Sequence, residues 1–489
     1  MMLVGGLGSC VSDPLARPGE DGQPGEDGRP GENGQPGENG QPQQPEVEKD
    51  WTYVWDGETI PEILVEVPLA EWNTLLQNYD RDNDNSDYVH CKVTYDKGGE
   101  KTVLEDTGLR LKGNTSRQRP EVKRGDGLHQ KDETEWNHCH FYLNFKKFNI
   151  DKTTNHIRGV KKLYLKWFKD DPTYVREVFC YDLFHRSGVW TAAQSQWCRL
   201  SIHVEGDSKP AYFGVYEMLE PIDNKFIERR TAGIGSGAGT AFTNASGSLW
   251  KCTWGADLRT GAGNKVDENK IGPDDKTKNY AYELKEDVLN YAAARTQLID
   301  FLLKLNGKGE ESFKQWIQEV CDVRLLLRTY AVNVAVGMWD DHWHGQNNFY
   351  LYFDSLDQYN YHFYFIPYDY DNTLGTSSGM DSGRQDPYHW GAVGKLMERM
   401  MAIPEFRAIY KEELQRLVQP GNQLMYWEEA RTRVQLWQDN IRSFVANDTG
   451  EDMIIEDRPA SWGNHPEYRL ISEENNFFKI KGETINNMK

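Results

Sequence analysis

The chain has 489 residues, a formal charge of −20, and 38% hydrophobic and 12% aromatic residues, among them 16 Trp and 25 Tyr. That apolar content can build a large core, so most of the chain reads as globular and not disordered. The charge excludes generic nucleic-acid binding, because a phosphate backbone would be repelled. No run approaches the ~18 apolar residues of a spanning helix, so an integral helical membrane protein is not expected.

Residues 1–50 carry ten acidic and three basic side chains, a net −7 that leaves −13 on the remainder. Leu7-Gly8-Ser9-Cys10 resembles a bacterial lipobox. On this reading residues 1–18 are a lipoprotein signal remnant, with a lipid on Cys10 attaching the chain to a membrane surface. The apolar stretch is shorter than the ~7–15 residues of a signal core, and an ordinary tail stays open beside it. Glycine then occupies every third position from Gly19 to Gly40, the Gly-X-Y rule of collagen, with Pro only at Y. So few triplets do not make an independent trimer, and 19–50 reads as an extended acidic linker. The six further cysteines, Cys91, Cys139, Cys180, Cys198, Cys252 and Cys321, show no CxxC spacing, which removes zinc-ribbon readings and leaves disulfides or buried thiols.

From Trp51 onward short apolar runs alternate with polar turns: Ile63 to Val67, Val89 to Tyr95, Gly108 to Lys112, Phe141 to Phe145 and Lys162 to Trp167. Residues 51–230 are therefore expected to form a β-rich lobe with one helix, beginning after Asp171-Pro172. The glycine-rich stretch Gly233 to Gly239 lacks a following Lys-Ser/Thr and reads as linker, so 231–279 is expected to be a flexible connection. Helical periodicity then recurs at Ala292 to Leu305, Phe313 to Cys321, Val323 to Val336 and Trp427 to Val445, making 280–489 a mainly helical lobe. The expected class is α+β with two lobes and a cleft between them.

The densest polar cluster is Asp340-Asp341-His342-Trp343-His344-Gly345-Gln346-Asn347-Asn348. Two strands follow, Phe349 to Phe353 and His362 to Ile366, then Pro367-Tyr368-Asp369-Tyr370-Asp371-Asn372. In an antiparallel hairpin Asn348 and Asp369 return to the same edge, with Asp340 reaching over from the preceding loop. An amide and a carboxylate suit a Mg²⁺ that takes its other ligands from water and phosphate. Asp340 beside them can accept a hydroxyl proton, which together is the division of labour of phosphoryl transfer. A second reading takes His342 and His344 with the two aspartates as zinc ligands.

At these residues the chain resembles the CotH kinase family, secreted and spore-coat relatives of protein kinases. The resemblance spans residues 60 to 450 and rests on six blocks in order: Arg110 to Ser116, Asp171 to Glu177, Gly214 to Glu220, Gly247 to Lys251, Asp340 to Tyr352 and Pro367 to Gly375. It implies a protein-kinase-like fold and transfer of the ATP γ-phosphoryl group to Ser or Thr of a surface or secreted protein, with Mg²⁺ or Mn²⁺. Asp340 would be the catalytic aspartate, Asn348 and Asp369 the metal ligands, and Arg110, Lys112, Glu220 and Lys251 the nucleotide side of the cleft. Asn347 rivals Asn348, and Asp371 offers a second metal a carboxylate. Tyr142 stands where a nucleotide-binding lysine is sought, leaving Lys112, Lys146 and Lys251 as candidates for the phosphate-pairing cation. The resemblance also implies an extracytoplasmic place, and leaves a weakly active or inactive kinase-fold adhesion protein as the alternative.

Overall fold

The computed structural model describes residues 51–149, 154–231, 241–274, 278–286, 290–377, 379–460 and 467–489. The lipobox, the Gly-X-Y linker and the glycine run 233–239 lie outside the described residues. The first part of the fold is a closed barrel of seven strands: β1 (Glu62–Val67), β2 (Val89–Lys97), β3 (Glu100–Lys112), β4 (His140–Asn144), β5 (Lys162–Lys166), β6 (Ser195–Val204) and β7 (Ala211–Leu219). Their order is β1-β2-β3-β4-β5-β7-β6, and β1 closes the ring by pairing parallel to β6.

Alternation sets the two faces of this barrel. Ile63, Val65, Val93, Leu109, Leu111, Phe141, Leu163 and Leu165 are buried in one cluster inside it. The register places Arg110 opposite Tyr142, Tyr142 opposite Tyr164, and Lys166 opposite Glu217. Those residues therefore share the outer face. Gly98 and Gly99, both at positive φ, close the β2–β3 hairpin in the two-residue turn that only such backbones fit easily. That turn lets β3 begin at Glu100, eight residues before the strand expected at Gly108.

The single helix expected in this region is corrected to three among the described residues: α1 (Leu69–Arg81), α2 (Arg176–Arg186) and α3 (Asn224–Thr231). α1 buries Trp72, Leu75 and Leu76, a helical stripe, with Trp72 edge-on to Trp136 at 5.9 Å. α2 starts at Arg176 and not directly after Pro172. The buried Asp171 carboxylate accepts from the backbone N–H of Thr173, Val175 and Arg176, which holds the intervening loop out of the helix while capping it.

A second sheet, order β12-β11-β8-β10-β9, comprises β8 (Ser248–Cys252), β9 (Ile271–Pro273), β10 (Tyr282–Glu286), β11 (Phe349–Phe353) and β12 (Phe363–Pro367). The flexible connection expected over 231–279 thus contributes β8 and β9. Leu249, Trp250 and Cys252 are fully or nearly fully buried, an apolar strand drawn in by pairing with β11. Among the described residues seven helices complete the C-terminal part: α4 (Tyr291–Gly307), α5 (Glu310–Val320), α6 (Val323–Ala335), α7 (Lys395–Ala402), α8 (Pro404–Leu417), α9 (Trp427–Ile441) and α10 (Phe477–Asn486). These helices, the second sheet and α2 share one apolar core. The fold is therefore mixed α/β, β-rich first and helical later. Cys91, Cys139, Cys180, Cys198, Cys252 and Cys321 are free buried thiols.

Candidate functional site

The β11–β12 hairpin ends on Phe349 opposite Pro367, so Asn348 and Asp369 leave it at the same edge. Both have left-handed backbones, φ +55° for Asn348 and +63° for Asp369. Such a conformation costs an aspartate roughly 1 kcal/mol or more and persists only where surrounding contacts enforce it. Asn348 Nδ2 donates to Asp340 Oδ2 at 2.9 Å and to its backbone oxygen at 3.1 Å, and Asn347 Nδ2 donates to the same carboxylate at 3.2 Å. Gly345 permits this closeness, since a Cβ there would stand 2.7 Å from Asp340 Oδ1. Burial and the neighbouring Asp369 raise the Asp340 carboxyl to about 6 against the two amide donors, so it is a base near neutrality.

Asp341 is buried behind this loop. Its carboxylate accepts from Asn333 Nδ2 of α6 at 2.5 Å and from the His344 N–H at 2.7 Å, and Tyr370 donates to Asn333 Oδ1 at 2.8 Å. This network ties the loop to α6 and to the residue after Asp369. His342 does not offer itself to zinc: it is fully buried, its Nδ1 faces the Ala256 carbonyl, and its ring packs on Phe349 at 4.9 Å. Among the described residues no three His, Cys, Asp or Glu side chains converge as a metal site.

The cation that matters most is one sequence reasoning missed. Lys166, at the end of β5 and 5% exposed, donates to the Glu177 carboxylate of α2 and, at 2.8 Å, to Asp369 Oδ1. Burial opposes its charge, but Asp369 and Glu177 outweigh burial and hold the ammonium well above its usual value. Burial and the nearby Glu217 push Glu177 up, and burial pushes Glu217 up. Glu217 stands opposite Lys166 in the β5–β7 pairing, and Ser195 donates to its Oε1 at 2.6 Å. Asp369 goes the other way: burial would raise it, yet Lys166, Lys112 and Lys251 together bring it to about 2. Burial and Asp369 raise Asp371. A lysine on a barrel strand followed eleven residues later by a glutamate on the next helix was the available signal.

Lys112 Nζ lies 4.3 Å from the Tyr164 ring and 3.4 Å from the Tyr368 hydroxyl, and burial with Lys166 nearby lowers it to about 8. Lys251, opposite Tyr350 on β8–β11, points to the Tyr368 ring at 5.9 Å and is lowered by burial and by Lys285. The structure thus brings Asp340, Asn348, Asp369, Lys112 and Lys251 together. Arg110 shares the outer barrel face with Lys112, its guanidinium 4.6 Å from the Tyr142 ring, while Lys146 sits in the turn after β4. Glu220 is not available to a ligand. Both its oxygens are bound, by Arg229 at 2.6 Å and Arg230 at 2.9 Å, and these guanidiniums hold it at about 2 against burial. Surface clefts of about 490 and 460 Å³ lie elsewhere, and neither is lined by Asp340, Asn348 or Asp369.

Three residue types fit a nucleotide and a divalent ion. Asp369 is an ionised carboxylate, and Asn348 has both amide hydrogen bonds on its nitrogen and none on Oδ1 among the described residues. The lysines supply positive charge without a full complement of carboxylates.

Comparison with known proteins places the chain in a family. The family model described as CotH kinase protein matches residues 123–471. Inner spore coat protein H of Bacillus subtilis is 24% identical over 300 residues, covering 61% of this chain and 73% of that protein. Invasin CotH2 of Rhizopus delemar is 28% identical over 217 residues, 44% of this chain but only 32% of the invasin, so the match spans about a third of that relative. With the model match running from the barrel through the hairpin and its lysine-lined face, the chain belongs to the CotH kinase protein family.

Proposed function

We propose that this chain is a metal-dependent phosphotransferase on a protein-kinase-like fold, moving the γ-phosphoryl group of ATP to a Ser or Thr hydroxyl of a surface or secreted protein. The observation that carries the reading is Lys166 held between Glu177 of a helix and Asp369 of the hairpin, the lysine–glutamate and aspartate pairing that protein kinases use to seat ATP. Asp340 accepts the hydroxyl proton as the acceptor oxygen bonds to phosphorus and the bond to the bridging oxygen breaks. Its value near 6 leaves it largely ionised at neutral pH. Lys166, Lys112 and Lys251 oppose the charge of the phosphates. Asn348 Oδ1 and the Asp369 carboxylate would hold Mg²⁺ or Mn²⁺, with Asp371 beside them; the bound ion supplies charge neutralisation between phosphate oxygens.

A spore-coat protein and an invasin among the relatives support an extracytoplasmic surface as the working place, and a lipid on Cys10 is the proposed membrane-surface attachment. No helix among the described residues is long and apolar enough to cross a membrane. The invasin relative also favours a second reading, a kinase-fold surface adhesion protein with little or no catalysis.

The deciding experiment incubates the full chain with γ-labelled ATP, Mg²⁺ or Mn²⁺ and a generic basic protein, beside an Asp369→Ala control. Label moved by the parent and not by the control supports the phosphotransferase. An inert parent, with α-labelled ATP equally inert and no thermal shift from ATP and Mg²⁺, leaves the adhesion reading.

A further inference from the structure

Helix α10 carries a lysine where its pattern asks for an apolar residue. Its buried side chains are Phe477, Phe478, Lys481 and Ile485, one helical stripe, and Lys481 is fully buried. A buried ammonium is costly unless it is paired. Among the described residues Lys481 Nζ has one hydrogen bond, to the Ser382 carbonyl oxygen at 2.9 Å, and one aromatic contact, 4.5 Å from the centre of the Trp390 ring, with no carboxylate in ion-pair reach. Burial lowers it to about 7, against the more distant Asp381 and Asp386.

Both contacts lead to the Asp340 loop. Trp390 is itself fully buried, and its Nε1 donates to the Met338 carbonyl oxygen at 2.9 Å, two residues before Asp340. Ser382 packs on Gly337, where an added Cβ would stand 3.1 Å from Ser382 Cβ and 3.1 Å from Phe477 Cζ of α10. On the far side of Asp340, the N–H groups of Val393 and Gly394 donate to the Trp343 carbonyl at 3.3 and 3.2 Å. A side chain at Gly391 would strike that same oxygen at 2.1 Å. Residues 382–394 therefore grip the loop from both sides, and α10 grips them. Thr484 Oγ1 lies 2.9 Å from the Gly383 carbonyl but also 3.0 Å from that of Ile480 in its own helix, so Lys481 is the firmer tie.

A methionine has nearly the length of a lysine and no charge, and would fill this space at less cost. It offers no donor to Ser382 and no cation to the indole, so what the lysine supplies is position and not stability. We propose that Lys481 is a positioning residue for the Asp340 loop, acting through Ser382 and Trp390 on Gly337 and Met338. The tether stands on these contacts alone; its effect on turnover rests on the phosphotransferase reading.

The test compares the full chain with its Lys481→Met variant by hydrogen exchange, thermal unfolding and steady-state kinetics. The His344 and Asn347 amides, which donate to Asp341, are expected to exchange about tenfold faster in the variant, the change that follows loss of one hydrogen bond. The unfolding midpoint should hold or rise, because an unpaired buried charge has gone. kcat should fall about tenfold with KM for ATP unchanged, since the lysines facing the phosphates are untouched. Trp390→Phe, which loses the donor to Met338, should act in the same direction, and the double variant should lose less than the two single losses combined. Unchanged exchange in the Asp340 loop overturns the tether. Faster exchange spread over the whole chain with a lower midpoint makes Lys481 a general packing residue and overturns it too. Faster loop exchange with unchanged kcat overturns the effect on turnover. Faster loop exchange in a chain whose parent transfers no phosphate supports the tether and overturns the phosphotransferase reading.

Discussion

Replacing Lys166 with Met tests the core of the site. The lysine and Glu177 are 5% and 4% exposed, and removing one partner of a buried pair costs roughly 3–5 kcal/mol because the other is left uncompensated. The Asp369 contact adds little, since that carboxylate is about one-third exposed and screened by water. The cost depends on pH. Without its counter-ion Glu177 is raised still further above its unfolded value, so the folded state binds the extra proton. Stability then falls as pH rises from the unfolded carboxyl range through the folded value. Urea unfolding is therefore expected to show the full penalty near pH ~8 and a smaller one near pH ~5. A second change, Glu177→Gln, should return part of the loss in the double variant. Phosphoryl transfer should drop by about 10² to 10³, the loss typical of one positioned cationic or hydrogen-bond donor. A Lys166→Met chain within ~0.5 kcal/mol of the parent, or strict additivity with Glu177→Gln, would falsify the buried pair.

With Asp340 near 6, the transfer rate should rise about tenfold per pH unit below that value and level off above it; Asp340→Asn should lose about 10² to 10⁴ in rate together with this acid limb. Gly345→Ala forces a Cβ to within 2.7 Å of Asp340 Oδ1, so turnover should fall by about 10² while nucleotide affinity stays near that of the parent. Lys112, lowered to about 8, should take up a proton when phosphates arrive. Calorimetry near pH ~8 in buffers of different ionisation enthalpy should register that uptake, and affinity should decline above it; equal heats would remove Lys112 from the phosphate site. Glu220→Gln leaves the fully buried Arg230 short of its counter-charge, so it should cost roughly 3–5 kcal/mol in denaturant unfolding with nucleotide affinity unchanged.

The hairpin was legible because it is local. Phe349 to Phe353 and Phe363 to Pro367 form within one residue of the expected strands, and the return of Asn348 and Asp369 to one edge follows from antiparallel pairing alone. Lys166 was not legible in the same way. Its partner Asp369 is 203 residues away, and nothing in KLYLKW separates a cleft lysine from a surface one until the barrel register shows which face is covered. At Glu220 the family block implies a cleft residue, while both its oxygens are taken by arginines. The arginines that occupy it follow nine and ten residues later on α3, a short-range pairing that charge spacing could have indicated. The strand at Ser248–Cys252 was hidden because the runs before and after it are polar, and its pairing partner β11 lies about a hundred positions on.

The electrostatics of the site run against those of the chain. A molecule of net charge −20 gathers Lys112, Lys166 and Lys251 around Asp369, whose carboxyl they bring to about 2 against burial, while burial pushes Glu177 and Glu217 up. Burial is the first cause that lowers Lys112 and Lys251, and a neighbouring lysine, Lys166 for the one and Lys285 for the other, adds to it. On the proposed function, a polyphosphate and a divalent ion arriving together would add negative charge for the lysines and a cation for the Asp369 carboxylate. A generic acidic surface repels nucleotide, so on the proposed function this group of lysines is where nucleotide would bind.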